Sequence, residues 1–464
     1  MLVKPLAAHS ELEKESTPPS GARARTVRDP LWRNIRLDAT AASIVDTPEF
    51  QRLRGVKQLG FAHLVYPGAV HSRFLHALGV YHLTDRAISV LEAAGSLEVL
   101  APAERRRIPL VRLAALLHDV GHYAFSHAME EIGSGAIPGH HEEMAARFLS
   151  QGPIRERLAE LDAAGPREVD ALIRGESAHP LQGLVAGSLD LDKIDYLTRD
   201  SFFCGVPYGA VDVDRLIDAL TLAAEARGAR PEVAVSEKGV SALESLLFSK
   251  YQMFRNVYWH HAVRAATVTF RRLIERSQTA GLLGREELPG PADEELMHLL
   301  ARRATGSGPR GPELSYVLRL IESLEHRRLP KRVVELYGDR LPGGLAGWIS
   351  TRPEIVRRVE RRLETEWGMA KGAVFLDYPA YPGMLELRIL LVRRNGEVQR
   401  LTSAGEEGLI DLPRLSESLH HAARVFRVFC LEPVEEKDPA PLLELLEASG
   451  EEVLARLDEE RALY

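Results

Sequence analysis

A chain of 464 residues with 45% apolar and 27% charged side chains can bury a sizeable core and exceeds what one hydrophobic domain usually holds, which excludes disordered and fibrous classes and implies at least two packed units. The net charge of −7 argues against a generally basic nucleic-acid binder, and two cysteines, Cys204 and Cys430, give neither a disulfide framework nor a Cys-x-x-Cys zinc spacing, which suits a reducing, cytoplasmic setting. No run approaches the roughly 20 apolar residues of a membrane span, and the start of the chain lacks a signal-peptide core, so residues 1–25 are expected to form a flexible tail.

Residues 26–38 then read as a short extended or hairpin segment, and from Ala41 helical spacing dominates for more than two hundred residues. The stretch 74–94 places Leu75, Leu78, Gly79, Leu83, Ala87 and Val90 at the period of an amphipathic helix. A second helix is expected over 107–119, with Gly121 placed to end it. Others follow over 141–150, 188–199, 212–225 and 241–276. Gly- and Pro-rich stretches at 281–292 and 306–312 mark a linker, with a boundary near 280. Beyond it, 373–377, 385–393, 398–402 and 424–431 have β-type composition, and Asn395-Gly396 suggests a hairpin turn. Between the linker and these strands, 353–367 predicts an amphipathic helix with its arginines on a solvated face. The expected class is mainly α, a helical unit over 26–280 followed by a smaller α+β unit over 281–464.

Ten of the 17 histidines fall between His63 and His179, a density suited to metal and phosphate chemistry. His118-Asp119 stand together at a helix end, where both can reach one ion although helical neighbours diverge by about 100 degrees. His76 lies on the inward stripe of its helix with Val80, Leu83 and Ala87. An isolated inward histidine is more often a hydrogen-bonded core residue, but the other donors reverse that preference. Asp192 opens a polar stripe with Asp195, Tyr196 and Arg199 that would, alone, be a surface ion-pair network. Two imidazoles and two carboxylates suit Fe, Mn, Zn, Ni or Co better than calcium.

The motifs Asp46-Thr47-Pro48-Glu49-Phe50-Gln51-Arg52-Leu53-Arg54, Lys57-Gln58-Leu59-Gly60, Tyr66-Pro67-Gly68-Ala69, His71-Ser72-Arg73-Phe74-Leu75-His76, His118-Asp119-Val120-Gly121-His122, Phe125-Ser126-His127, His141-Glu142 and Asp190-Leu191-Asp192-Lys193-Ile194-Asp195-Tyr196 occur in this order. Over residues 26 to about 265 this pattern resembles the HD-domain deoxynucleotide triphosphohydrolases. The resemblance implies an HD-domain helical core in which His76, His118, Asp119 and Asp192 hold a divalent transition metal, with Mg accompanying the substrate triphosphate. It implies that His122, His127 and His141 are catalytic or phosphate-contacting, with Glu130 partnering His127. Arg73, Lys193, Tyr196 and Arg255 would contact the triphosphate, Gln58 and Asp200 the sugar 3′-hydroxyl, and Leu59 the 2′ position. Asp46, Gln51 and Arg54 match residues that bind an activating guanine nucleotide in regulated members, although an ion pair of Asp46 with Arg54 would explain two of them equally. Leu75 departs from the glutamate that often precedes the metal histidine.

The expected reaction is attack of water at the α-phosphorus of a deoxynucleoside triphosphate. Arg73, Lys193 and protonated His122 would stabilise the phosphoryl oxygens, and His127, or second His141, would protonate the departing 5′-oxygen. The chain is expected to work as a homo-oligomer away from membranes. Two alternatives share the cage: a phosphodiesterase or nuclease acting on RNA or cyclic nucleotides, which this acidic chain favours less, and a non-catalytic nucleotide sensor.

Overall fold

The structure is a computed structural model and describes residues 23–133, 135–306, 311–337, 347–379, 388–401, 419, 423–432 and 434–464. The expected tail lies outside the described residues as far as residue 22.

The hairpin is present as antiparallel strands Arg25–Asp29 and Arg33–Leu37, after which the Asp38 carboxylate accepts from Ala41 N and caps helix Ala39–Val45. Helix Arg73–Ala93 is the central beam, buried over most of its circumference and packed against helices Ile108–Leu117 and Leu191–Cys204. Two glycines permit the approach of its neighbours. A Cβ at Gly79 would stand 2.0 Å from Asp195 Oδ1, and one at Gly121 would stand 2.0 Å from the His141 carbonyl oxygen. Any other residue there would push helix Leu191–Cys204 or helix His141–Ser150 away from the histidines.

The structure corrects several element boundaries. The stretch 212–225 is helix Val213–Asp218 followed by strand Leu220–Ala223, because pairing with strand Glu232–Ser236 overrides local helical preference. The long helix over 241–276 breaks at a π-helical turn, Phe254–Tyr258, between helices Val240–Met253 and His261–Thr279. Helices Gly152–Leu161 and Gly165–Ile173, each opening on Gly-Pro, were not foreseen, nor were Asp293–Gly306, Pro312–Glu325 and strand Lys331–Tyr337.

Strands Leu390–Val392 and Val398–Arg400 form the hairpin expected around Asn395-Gly396, with Gly396 at φ +86°. The first of them also pairs in parallel with Glu232–Ser236, so a four-stranded sheet joins the two halves of the chain. A three-stranded sheet places the buried strand Val425–Cys430 between Lys331–Tyr337 and Val374–Asp377. Helix Pro353–Glu366 covers it. Three of the four arginines of that helix form ion pairs: Arg357 with Glu275 and Glu360, Arg358 with Asp458 and Arg362 with Glu366.

The boundary near 280 coincides with the end of helix His261–Thr279, yet it does not separate cores. Phe61, Tyr123 and Met129 share one apolar cluster with Phe270, Leu296, Leu320, Phe375 and Phe429. Among the described residues no helix is long and apolar enough to cross a membrane.

Candidate metal centre

Three helix ends supply the donors. His76 projects from the first turn of Arg73–Ala93, His118 and Asp119 follow the last turn of Ile108–Leu117, and Asp192 lies in the first turn of Leu191–Cys204, which Asp190 caps through Lys193 N. His76 Nε2 stands 2.8 Å from Asp192 Oδ1, 3.2 Å from His118 Nε2 and 3.7 Å from Asp119 Oδ2. His118 Nε2 is 3.4 Å from Asp119 Oδ1 and 3.5 Å from Asp192 Oδ1. Ligands held about 2.0–2.2 Å from one ion are separated by roughly 3–3.5 Å, so His76, His118 and Asp192 are spaced for a divalent cation, while Asp119 stands beside them and reaches the two histidines through different oxygens.

The outer ring nitrogens are fixed as metal-binding histidines require. His118 Nδ1 donates to the Ala115 carbonyl at 2.8 Å, and His76 Nδ1 donates to Asp195 Oδ2 at 2.8 Å. Asp195 in turn accepts from Arg199 and from Trp32 Nε1, and Arg199 reaches Asp29 at 2.8 Å. Burial opposes charge on His76, but its hydrogen bonds to Asp192 and Asp195 and the Asp119 charge carry its pKa up to about 10. Burial likewise disfavours the Asp119 carboxylate, and Arg73 and His118 overcome it and hold its pKa well below the usual range.

Beside the cage, Arg73 Nη1 donates to Asp119 Oδ2 at 2.7 Å and Arg73 Nε donates to Ser126 Oγ at 2.9 Å, with His127 Nε2 3.5 Å from its third nitrogen. Glu130 does not partner His127. The turn of helix Ser126–Glu130 aims its carboxylate at His141 Nδ1, 2.7 Å away, and leaves His122 Nδ1 at 3.5 Å. Burial, Arg73 and His141 push the pKa of His122 down. Desolvation in the cleft and the Arg73 charge push His127 down to about 4. Burial opposes charge on His141 too, but Glu130 raises it above the ordinary value, making it the imidazolium of the set. The rings of His122 and His141 stack at 4.0 Å and 14°, so their in-plane lone pairs cannot meet at one ion, and with Glu130 they form a hydrogen-bonding group instead of a second cation site.

The remaining expected residues divide. Lys193 donates to Asp190 and the Gly187 carbonyl at the cage rim, and Tyr196 lies half-buried on the same helix. Gln58 is buried with Oε1 unpartnered, and Leu59 lies beside it. Asp200 is already engaged, accepting from His71 Nε2 at 2.8 Å and from the Tyr258 hydroxyl at 2.6 Å. Arg255 is exposed on the π-helical turn and donates to the Tyr251 hydroxyl. The Asp46–Arg54 ion pair is absent: Asp46 is held by Arg25 at 2.8 Å, while Arg54 donates to Gln51 and lies over the Phe74 ring. Lys250 was missed. It is buried, and burial and the Lys193 charge lower its pKa to about 8, while Asp190 and Asp192 act in the opposite sense. A lysine on the apolar stripe of Leu243, Leu246, Leu247 and Met253 is the signal that could have found it.

A helical shell whose helix ends bring two imidazoles and one carboxylate to ligand spacing, with Asp119 and cationic side chains beside them, suits metal-centred phosphohydrolase chemistry. Residues 73–200 match the HD domain and residues 211–407 match the HD associated region. A protein of Methanocaldococcus jannaschii is 30% identical over 81% of this chain and 74% of its own length. The deoxynucleoside triphosphate triphosphohydrolase SAMHD1 homolog of Dictyostelium discoideum is 27% identical over 70% of this chain and 63% of its own length, and a Bacillus subtilis relative is matched over 56% of its length. A hypothetical protein from Aquifex aeolicus superposes with a TM-score of 0.65 at 26% identity, over 88% of this chain and 96% of that one. The chain belongs to the HD-domain phosphohydrolase family, within the group that resembles the dNTPases.

Proposed function

We propose that this chain hydrolyses deoxynucleoside triphosphates to a deoxynucleoside and triphosphate. The observation that carries the reading is the convergence of His76, His118, Asp119 and Asp192, with Arg73, Lys193, Lys250 and His141 around them. The name of the Dictyostelium relative supports the substrate.

Those four ligands would hold Fe, Mn, Zn, Ni or Co, which supplies Lewis acidity toward a phosphoryl oxygen and activates water, with Mg accompanying the triphosphate. Arg73, Lys193 and Lys250 bind the anionic chain, and His141, charged by Glu130, offsets negative charge that grows on the phosphoryl oxygens. Burial first and the Arg73 charge second depress His127, and the negative charge of an arriving triphosphate would favour its protonated form, from which a proton would pass to the departing 5′-oxygen. Gln58, whose buried Oε1 has no hydrogen-bond partner among the described residues, would accept from a sugar hydroxyl. We take the working form to be a homo-oligomer, which light scattering on the purified chain checks.

The test combines metal analysis with assays against the four dNTPs, a ribonucleoside triphosphate and single-stranded RNA. Release of triphosphate from dNTPs by metal-loaded protein is expected. Cleavage of RNA without dNTP turnover would select the nuclease alternative, and metal-loaded but inert protein would select the sensor.

A further inference from the structure

The pocket is held from outside the HD match by one buried carboxylate. Asp293 opens helix Asp293–Gly306 in the HD associated region, and its side chain has no solvent exposure. Its Oδ1 accepts the Phe125 N–H at 2.9 Å and its Oδ2 accepts the Lys57 N–H at 3.0 Å; the closest side-chain cation, Lys57 Nζ, is 3.9 Å away. The approach depends on Gly55, where a Cβ would stand 2.7 Å from the Ala292 Cβ.

Both donors matter for the site. Phe125 has φ +49° and ψ +41°, a left-handed conformation that a bulky L-residue rarely adopts and that its surroundings must enforce. It directly precedes Ser126 and His127, two of the groups that meet Arg73. Its ring stacks on Phe61 at 4.4 Å and tilts against Phe270 at 4.8 Å, which anchors the side chain but leaves the buried N–H in need of an acceptor. Lys57 directly precedes Gln58, whose own N–H donates to the His71 carbonyl at 2.9 Å. A carboxylate answers two N–H groups that point at it from different segments, whereas an amide would set its NH2 against one of them.

We propose that Asp293 is a positioning residue of the hydrolytic reaction, fixing the turn that presents His127 and the segment that presents Gln58 as one unit. It acts through those residues without touching substrate, and the proposal rests on the hydrolytic reading above. The test uses the full chain with Asp293→Asn, His127→Ala and the double variant, measuring kcat, KM, bound metal and amide hydrogen exchange.

Asp293→Asn is expected to lower kcat about 30-fold with unchanged metal content and to speed exchange only around 57–58 and 125–127. In the His127→Ala background its further effect on kcat should stay below about threefold, because the part carried by the His127 turn is already lost and the Gln58 segment, a binding element, registers in KM. An equal loss in both backgrounds, no loss, or exchange that rises across the chain would overturn the proposal. Should the variant fail to fold, exchange in the wild-type chain decides: fast exchange at Phe125 or Lys57 contradicts the clamp, and slow exchange at both upholds it. Wild-type protein that is metal-loaded yet inert would overturn the hydrolytic reading and this proposal with it, whereas active wild type with equal losses would overturn this proposal alone.

Discussion

Asp195 is fully buried, fixes the ring of His76 and is itself fixed by Arg199 and Trp32. Asp195→Asn should weaken metal binding roughly 10- to 100-fold while the fold persists. Competition against a chelator measures this, and unchanged affinity would remove Asp195 from that role. His127→Ala should leave metal content intact and slow turnover about 100-fold or more. His76, His118, Asp119 and Asp192 could be singled out in the sequence through the ordered motifs shared with the resembled family, since spacing alone left Asp190 and Asp195 open beside Asp192. Pairings among the histidines could not. Whether Glu130 meets His127 or His141 depends on how helix His141–Ser150 crosses the turn at Gly121, a tertiary fact that local spacing does not contain.

Helix His261–Thr279 begins on an unusual cap: His260 Nδ1 accepts from Ala262 N at 3.2 Å. Partial burial and the neighbouring charges of His261, Arg427, Arg327 and Arg332 lower the pKa of His260 to about 4. A folded-state pKa below the unfolded 6.5 means that the neutral cap stabilises fully above pH 6.5 and that this stability is lost as pH falls toward 4. Asn caps without titrating, so His260→Asn should flatten the fall in stability between pH 6.5 and 4. Urea unfolding at pH 7 and pH 5 checks the slope, and identical slopes in the two proteins would refute the assignment. The periodicity of 241–276 showed helix throughout, and the π-helical break before His260 escaped it because Phe254, Val257 and Trp259 continue the apolar pattern across the turn.

The two matched regions share cores, so the chain should unfold in one transition, with far-UV dichroism and tryptophan fluorescence coinciding. A fragment ending at residue 280 loses Asp293, Phe375, Phe429 and the parallel neighbour of Glu232–Ser236, and it should melt well below the full chain. Equal melting temperatures would show that the helical part stands alone. Composition exposed the α-to-β change beyond 280, but the parallel pairing stayed hidden because partners so far apart leave no periodic trace.

That pairing also bears on how the protein is made. At about 5–20 residues per second, strand Glu232–Ser236 leaves the ribosome roughly 8–30 s before Leu390–Val392 arrives to cover it. Throughout that interval its bare edge can template another nascent copy. Slowing translation between residues 236 and 390 should therefore cost soluble yield, whereas slowing it upstream should not.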